Sequence, residues 1–138
     1  MGARFRPRLR YNLGVPPDEA VDVTSLAELR RLQPPGAPDV VARILKRFFA
    51  ESEERLKTLR EAAEVQDAPA IERAAHALKG IAGTVGAHEV GNLALRLEQG
   101  GRDGRIQDAT VLVNELDSAL GHGREVFEQM LETPGPAT

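Results

Sequence analysis

The sequence predicts an all-α protein, specifically an antiparallel four-helix bundle with a short additional N-terminal helix. Apolar residues recur at steps of three and four along four long stretches, and no stretch shows sustained period-two alternation. The connections between these stretches are short, which makes consecutive helices antiparallel neighbours. A chain of 138 residues is long enough for one such domain with a single core.

Composition limits the function classes that need to be considered. Hydrophobic residues make up 41% of the chain and charged residues 28%, as in soluble globular proteins, and the apolar runs are too short to span a membrane. No secretory signal is evident. Because there is no cysteine, disulfides and thiolate zinc sites are excluded. We therefore expect a cytoplasmic protein.

The charge pattern separates a basic N-terminal lead from an acidic body. The net charge is −3. The first ten residues nevertheless contain four arginines, Arg4, Arg6, Arg8 and Arg10, and no acidic residue. An acidic body with 4% aromatic residues is a poor nucleic-acid binder. We expect a flexible basic lead over 1–22, the helical bundle over 23–133 and a disordered tail over 134–138.

The first two helices are delimited by capping residues and prolines. Ser25 and Glu28 have the spacing of a capping box, which opens a short helix ended by the prolines at 34–35. Asp39 opens a long helix that runs to about Glu64.

The third helix is predicted between an aspartate and a glycine. Asp67 is a good N-cap, Pro69 lies in the first turn, and Gly86 is well placed as the left-handed C-terminal residue.

Glycines interrupt the last two predicted helices. The fourth helix covers about 88–99 and is expected to break at the glycine-rich stretch 100–104. The last helix covers about 106–131, and Gly121 and Gly123 predict a kink or break in its second half.

The third helix carries the most informative pattern of the chain. One stripe at steps of three and four is apolar and faces inward: Ile71, Ala75, Leu78, Ala82 and Val85. The opposite stripe places a histidine on the wet face with a lysine and two glycines beside it: His76, Lys79, Gly80 and Gly83. Each interior glycine costs about 1 kcal/mol of helix stability relative to alanine, so the flat surface next to the histidine suggests close approach by another molecule.

An exposed imidazole of this kind can accept a phosphoryl group. In the neutral form of the ring, one ring nitrogen is nucleophilic. Lys79, one turn after His76, can reach the oxygens of a phosphoryl on the ring, while Gly80 and Gly83 leave room for a partner. No nucleotide-binding loop and no acidic magnesium cluster are evident, so we expect a phosphoryl carrier without its own ATP site, rather than an enzyme.

Other interpretations of the histidines are weaker. His76, His88 and His122 lack metal-ligand spacing, and we expect no metal site. His88 is interpreted as a plain surface or loop residue and His122 as a turn or kink residue. No Asp or Glu has the sequence spacing of a partner that would orient His76, although a residue from another element could do so.

The motif Ala75-His76-Ala77-Leu78-Lys79-Gly80-Ile81-Ala82-Gly83-Thr84-Val85-Gly86 resembles the signature of histidine-containing phosphotransfer (HPt) domains. The resemblance covers about residues 23–131. It continues after the motif through Ala87, Val90, Leu93, Leu97 and Glu98, and it includes Phe48, Leu56 and Leu59 in the preceding long helix.

This resemblance implies that His76 is the phospho-acceptor, that Lys79 lies beside the phosphoryl and that Gly80 leaves room for a receiver domain. It also implies a phosphorelay between receiver aspartates, with response-regulator receiver domains and a hybrid histidine kinase as partners. The magnesium ion belongs to the receiver, so no cofactor is expected.

Two alternatives remain at this point: a helical adaptor that binds a receiver without phosphoryl transfer, and a helical dimerisation module. Because the inner stripes are used within one bundle, we expect a monomer, from a bacterial source by composition.

Overall fold

The computed structural model describes residues 20–132, and this part of the chain is all-helical. It contains α1 (Thr24–Leu32), α2 (Val40–Glu64), α3 (Ala68–Val85), α4 (His88–Asp103) and α5 (Ala109–Glu132), with no strand among the described residues. The C-terminal tail expected over 134–138 and all but the last three residues of the basic lead lie outside the described residues. None of the described helices is long and apolar enough to cross a membrane.

Side-chain caps fix the starts of α2 and α3 as predicted. The Asp39 carboxylate accepts a hydrogen bond from the Ala42 amide, and the Asp67 carboxylate accepts one from the Ala70 amide, both at 3.1 Å. Gly86 ends α3 in the left-handed conformation, with φ +79°. These predictions are confirmed.

The capping box predicted for α1 is wrong. Val23 is the N-cap, without a side-chain bond, and Ser25 lies inside the helix. The Asp22 carboxylate instead accepts a hydrogen bond from the Thr24 amide at 2.9 Å. Hydrogen bonding from Thr24, first from its side chain and then from its backbone, lowers the pKa of Asp22 below its ordinary value.

The predicted break at 100–104 is also wrong in position. Helix α4 continues through Gly100 and Gly101 to Asp103, and only Gly104 is left-handed, with φ +72°. A Cβ on Gly101 would lie 2.8 Å from the Ala68 carbonyl oxygen of α3. The glycine therefore permits close helix packing, which a reading of the local sequence alone mistakes for a helix breaker.

Helix α5 starts at Ala109, later than predicted, and continues without interruption past Gly121 and Gly123. The break predicted there does not occur, because a glycine within a helix lowers helix stability without preventing helical geometry. His122 is consequently a buried residue of a continuous helix and not a turn residue.

The four long helices surround one hydrophobic core. Helix α3 packs against α2 and α4, and α5 packs against the same two helices, while α1 contacts α2. The largest fully buried side chains come from all four long helices and include Leu45, Leu59, Ile71, Leu78, Leu97, Leu116 and Phe127. Burying each such side chain stabilises the fold by about 1.5–3 kcal/mol.

Arg30 joins α1 to the end of α5. Its guanidinium donates hydrogen bonds to the carbonyl oxygens of Met130 and Leu131, each at 3.0 Å, and lies 3.4 Å from the Asp39 carboxylate. These carbonyls belong to the last turn of α5, where a cation also complements the helix dipole.

Candidate functional site

The two faces predicted for α3 are present. All five members of the inner stripe are buried, and His76 lies on the opposite side with 69% of its side chain exposed. Its imidazole is therefore accessible to a molecule in solution, as the sequence pattern requires.

A carboxylate from the neighbouring helix holds the inner edge of this ring. Oε2 of Glu98, in α4, lies 2.6 Å from Nδ1 of His76, and Oε1 of Glu98 accepts a hydrogen bond from Nζ of Lys79 at 2.7 Å. Only 4% of the Glu98 side chain is exposed. His76 and Lys79 are thus brought together by one buried carboxylate between them.

Arg102 adds a third donor to the same carboxylate. Its Nη2 donates to Oε2 of Glu98 at 3.2 Å, and its Nε donates to Oε2 of Glu72 at 3.1 Å. Arg102 follows Glu98 by one helical turn and therefore lies on the same side of α4.

These contacts keep Glu98 ionised. The hydrogen bond from Lys79 is the main reason that the pKa of Glu98 lies below its ordinary value of 4.5, and the bond from His76 acts in the same direction. Burial acts in the opposite direction, since it disfavours a charged group.

The ionised carboxylate also assigns the imidazole tautomer. A carboxylate can only accept hydrogen bonds, so the proton of a neutral His76 ring belongs on Nδ1. The other ring nitrogen, Nε2, then carries the free lone pair. The ring is 69% exposed while its Nδ1 edge is engaged, which leaves Nε2 as the nucleophilic atom available to a partner.

Glycines set the spacing of the two helices that share the site. A Cβ on Gly101 would lie 2.8 Å from both the Ala68 carbonyl oxygen and the Glu72 amide nitrogen, so only glycine allows α4 this close to α3. Near the start of α4, a Cβ on Gly91 would lie 3.8 Å from the Cβ of Ala82, which is an ordinary van der Waals contact. The close packing explains how Glu98 reaches His76.

Gly80 and Gly83 have no such internal role. Both are exposed, and a Cβ built on either would meet no atom of another described element within 4 Å. The fold does not require glycine at these positions, so their helix-destabilising cost remains unexplained by packing within the described chain.

Sequence reasoning missed the roles of Glu98 and Arg102. Glu98 falls among the apolar residues of α4 that point inward, where a carboxylate is rarely buried unless it is paired. The inward position of Glu98 and the arginine four residues later were the sequence features that could have indicated a buried, paired carboxylate. The other two histidines lie elsewhere: His88 is exposed at the start of α4, and His122 is buried in α5. No group of residues suited to hold a metal ion occurs within residues 20–132.

An exposed imidazole that is held from behind by a buried carboxylate, on an all-helical scaffold, is suited to accept a group on its free ring nitrogen. Comparison with protein families identifies the Hpt domain over residues 43–132, and the chain belongs to this family. Members of the family are phosphotransfer carriers rather than enzymes, and they work with response-regulator receiver domains and kinases in phosphorelays.

A solved structure supports the same assignment. The chain is similar to histidine-containing phosphotransfer protein B (HptB) from Pseudomonas aeruginosa PAO1, with 30% sequence identity and a TM-score of 0.71. The match covers 80% of this chain and 92% of HptB. A search of curated protein sequences gave no significant match.

Proposed function

We propose that the protein carries a phosphoryl group on Nε2 of His76 between partners of a two-component phosphorelay. The group arrives from the aspartyl phosphate of a receiver domain, or from a kinase, and leaves to the aspartate of another receiver. The observation that carries this proposal is the 2.6 Å contact between Glu98 and Nδ1 of His76, which leaves Nε2 as the free nucleophilic nitrogen.

The transfer needs no reactant other than the imidazole and the acyl phosphate of the donor. The Nε2 lone pair attacks phosphorus, an N–P bond forms, and the P–O bond of the acyl phosphate breaks to release the donor carboxylate. Nδ1 keeps its proton throughout, so the phosphorylated ring is cationic and the ionised Glu98 compensates that charge. In the return step the ring leaves as a neutral imidazole, which is a better leaving group than an anion.

Lys79 is the residue proposed to neutralise the phosphoryl oxygens. Its ammonium group donates to Glu98 at 2.7 Å and its side chain is 37% exposed, so a small rotation brings it toward a phosphoryl on the neighbouring ring. Arg102 then keeps Glu98 paired while Lys79 is engaged elsewhere. The magnesium ion that receivers require is supplied by the partner, and the carrier itself needs no cofactor.

Gly80 and Gly83 are proposed to be where the partner approaches, because no neighbour within the described chain occupies the space beside them. The long helices are proposed to form an antiparallel four-helix bundle over 23–133 with α1 at one end. The ring of contacts among α2, α3, α4 and α5 supports it. We further propose that the carrier acts as a monomer in the bacterial cytoplasm.

Phosphoryl transfer from a charged receiver tests the proposal. A receiver domain phosphorylated with a small acyl phosphate is mixed with the full chain, and acid-labile, alkali-stable label on the chain is followed in time. We expect label on the native chain and none on His76→Gln, with unchanged helical circular dichroism. His88→Gln is the matched control and retains the label.

Two results would contradict the proposal. Label that persists on His76→Gln removes His76 from the reaction. Binding of receivers without any label, across all receivers of the source organism, favours the phosphorylation-independent adaptor instead.

A further inference from the structure

Glu72 of α3 is linked to the site through Arg102 of α4. It lies one helical turn before His76, and 35% of its side chain is exposed. Its Oε2 accepts a hydrogen bond from Nε of Arg102 at 3.1 Å. A Cβ on Gly101 would lie 2.8 Å from the Glu72 amide nitrogen, so the two helices are in close contact beside this ion pair.

Arg102 uses its guanidinium to bridge two carboxylates. Nε donates to Glu72, and Nη2 donates to Oε2 of Glu98 at 3.2 Å. The arginine side chain is 58% exposed, and an exposed ion pair between residues one turn apart on a helix is weak, because two long side chains must be ordered. The second carboxylate, on the neighbouring helix, therefore fixes the orientation in which Arg102 meets Glu98.

Glu98 depends most on this arginine when Lys79 moves away. Only 4% of the Glu98 side chain is exposed, and it accepts a hydrogen bond from Lys79 at 2.7 Å. The imidazole is still neutral when transfer begins, and a buried carboxylate without a cationic partner is costly. Lys79 can therefore turn toward a phosphoryl group at low cost only while another cation stays at Glu98, and Arg102 is already in contact with it.

We propose that Glu72 is a positioning residue for phosphoryl transfer and acts through Arg102. By holding the guanidinium against Glu98, Glu72 keeps the buried carboxylate paired and allows Lys79 to move to the phosphoryl group. It does so without contacting the reacting atoms. This role rests on the proposed function and adds a residue to it.

Single-turnover transfer to Glu72→Gln, measured on the full chain over a range of phosphorylated receiver concentrations, tests this role. We expect the saturating rate to fall about two- to fivefold, with an unchanged half-saturating concentration because the surface that the receiver meets is intact. Asp117→Asn is the matched control, since it removes a carboxylate from the exposed 2.7 Å pair with Arg60 between α2 and α5; it should change neither quantity. A native rate in Glu72→Gln, or an equal loss in Asp117→Asn, would overturn the proposal.

Double variants test whether Glu72 acts through its partner. Glu72→Gln should add no further loss to Arg102→Gln, whereas independent effects would multiply. Lys79→Ala should slow transfer by a smaller factor in the Glu72→Gln background than in the native chain, because Lys79 leaves Glu98 less readily there. Multiplying losses in the first pair, or an equal factor for Lys79→Ala in both backgrounds, would overturn the proposal.

The Nε–H signal of Arg102 in the unphosphorylated chain gives a readout that needs no transfer. Its ¹H–¹⁵N NOE should fall in Glu72→Gln, as the side chain becomes mobile, and should stay native in Asp117→Asn. Equal values in all three proteins would overturn the anchoring of Arg102 by Glu72. Absence of label on the native chain would instead contradict the proposed function, whereas native transfer by Glu72→Gln would contradict the role of Glu72 alone.

Discussion

Glu98 accepts a hydrogen bond from Nδ1 of His76 across 2.6 Å, although the two residues are 22 positions apart in sequence and lie on different helices. We predict that Glu98→Gln slows phosphoryl acceptance by about tenfold or more, since a charge-assisted hydrogen bond of about 1.5–3 kcal/mol is weakened. Glu98→Leu should be slower still and should shift the ring toward the Nε2–H tautomer. ¹⁵N chemical shifts of the imidazole report the tautomer, and single-turnover transfer reports the rate. Native tautomer and rate in Glu98→Leu would exclude this role.

Lys79→Ala is expected to slow transfer by about tenfold or more, because a charged contact to the transferring phosphoryl is lost. The fold should persist, since the side chain is partly exposed and Arg102 still pairs with Glu98. The pKa of Glu98 should rise, because Lys79 is its main lowering influence. A ¹³C carboxyl titration measures this rise, and Lys57→Ala is the control that changes neither quantity. Transfer at the native rate would exclude the contact with the phosphoryl.

Gly80→Gln should raise the stability of the fold and slow phosphoryl transfer. Outside the local helix backbone, no atom of residues 20–132 lies within 4 Å of a Cβ at this position, so the free energy of unfolding should rise by up to about 1 kcal/mol as a helical glycine is removed. Transfer from a receiver should nevertheless become slower, because the new side chain obstructs the partner.

Gly121→Gln is the matched control for Gly80→Gln. Gly121 is also an exposed helical glycine, and no other described element lies within 4 Å of its Cβ position. Urea unfolding should report a similar gain in stability, with an unchanged transfer rate. Equal transfer by both variants would mean that Gly80 does not face the partner.

Gly101→Ala should have the opposite effect on stability. The new Cβ would lie 2.8 Å from the Ala68 carbonyl oxygen and from the Glu72 amide nitrogen. Both are backbone atoms, so relieving the contacts requires the two helices to shift. We expect a loss of about 1–3 kcal/mol in the free energy of unfolding, as for other overpacked positions. The urea midpoint measures it, with Gly121→Ala as a control that gains stability. A gain at both positions would show that α3 and α4 can separate without cost.

Stability should fall as the pH drops below about 6.5, because burial lowers the pKa of His122 from that value. His122 binds a proton more readily in the unfolded chain than in the folded chain. The free energy of unfolding therefore decreases by up to about 1.4 kcal/mol per pH unit as the pH falls. Glu98 adds a further loss below 4.5, since its pKa is lowered on folding. His122→Leu should flatten the upper part of this profile in urea titrations from pH 7 to 5, whereas His88→Gln should not. An unchanged slope in His122→Leu would assign the effect to other groups.

Local sequence was sufficient for the starts of α2 and α3 and for the exposed side of the site. The apolar stripe of α3 and the aspartate caps of α2 and α3 depend on nearest neighbours along the chain, and these predictions are confirmed. The same reasoning predicts that His76 and Lys79 lie near each other, because residues three apart share a helix face.

The remaining features depend on contacts between helices. Gly101 resembles a helix breaker until the backbone of α3 is placed against it, and Glu98 has no visible partner until α4 is aligned with α3. A pattern read along one helix contains no information on the register of its neighbour, so the carboxylate behind the imidazole could not be assigned from sequence.

The turn that links α3 to α4 consists of little more than the left-handed Gly86 and Ala87. One residue inserted there would rotate α4 by about 100° about its axis and carry the Glu98 carboxylate away from the ring. Such a mutant could keep its helical content and its His76-Lys79-Gly80 motif while losing its reactivity. Loop length is therefore part of what encodes the acceptor, and a motif search that ignores it would count an inert homologue as a carrier.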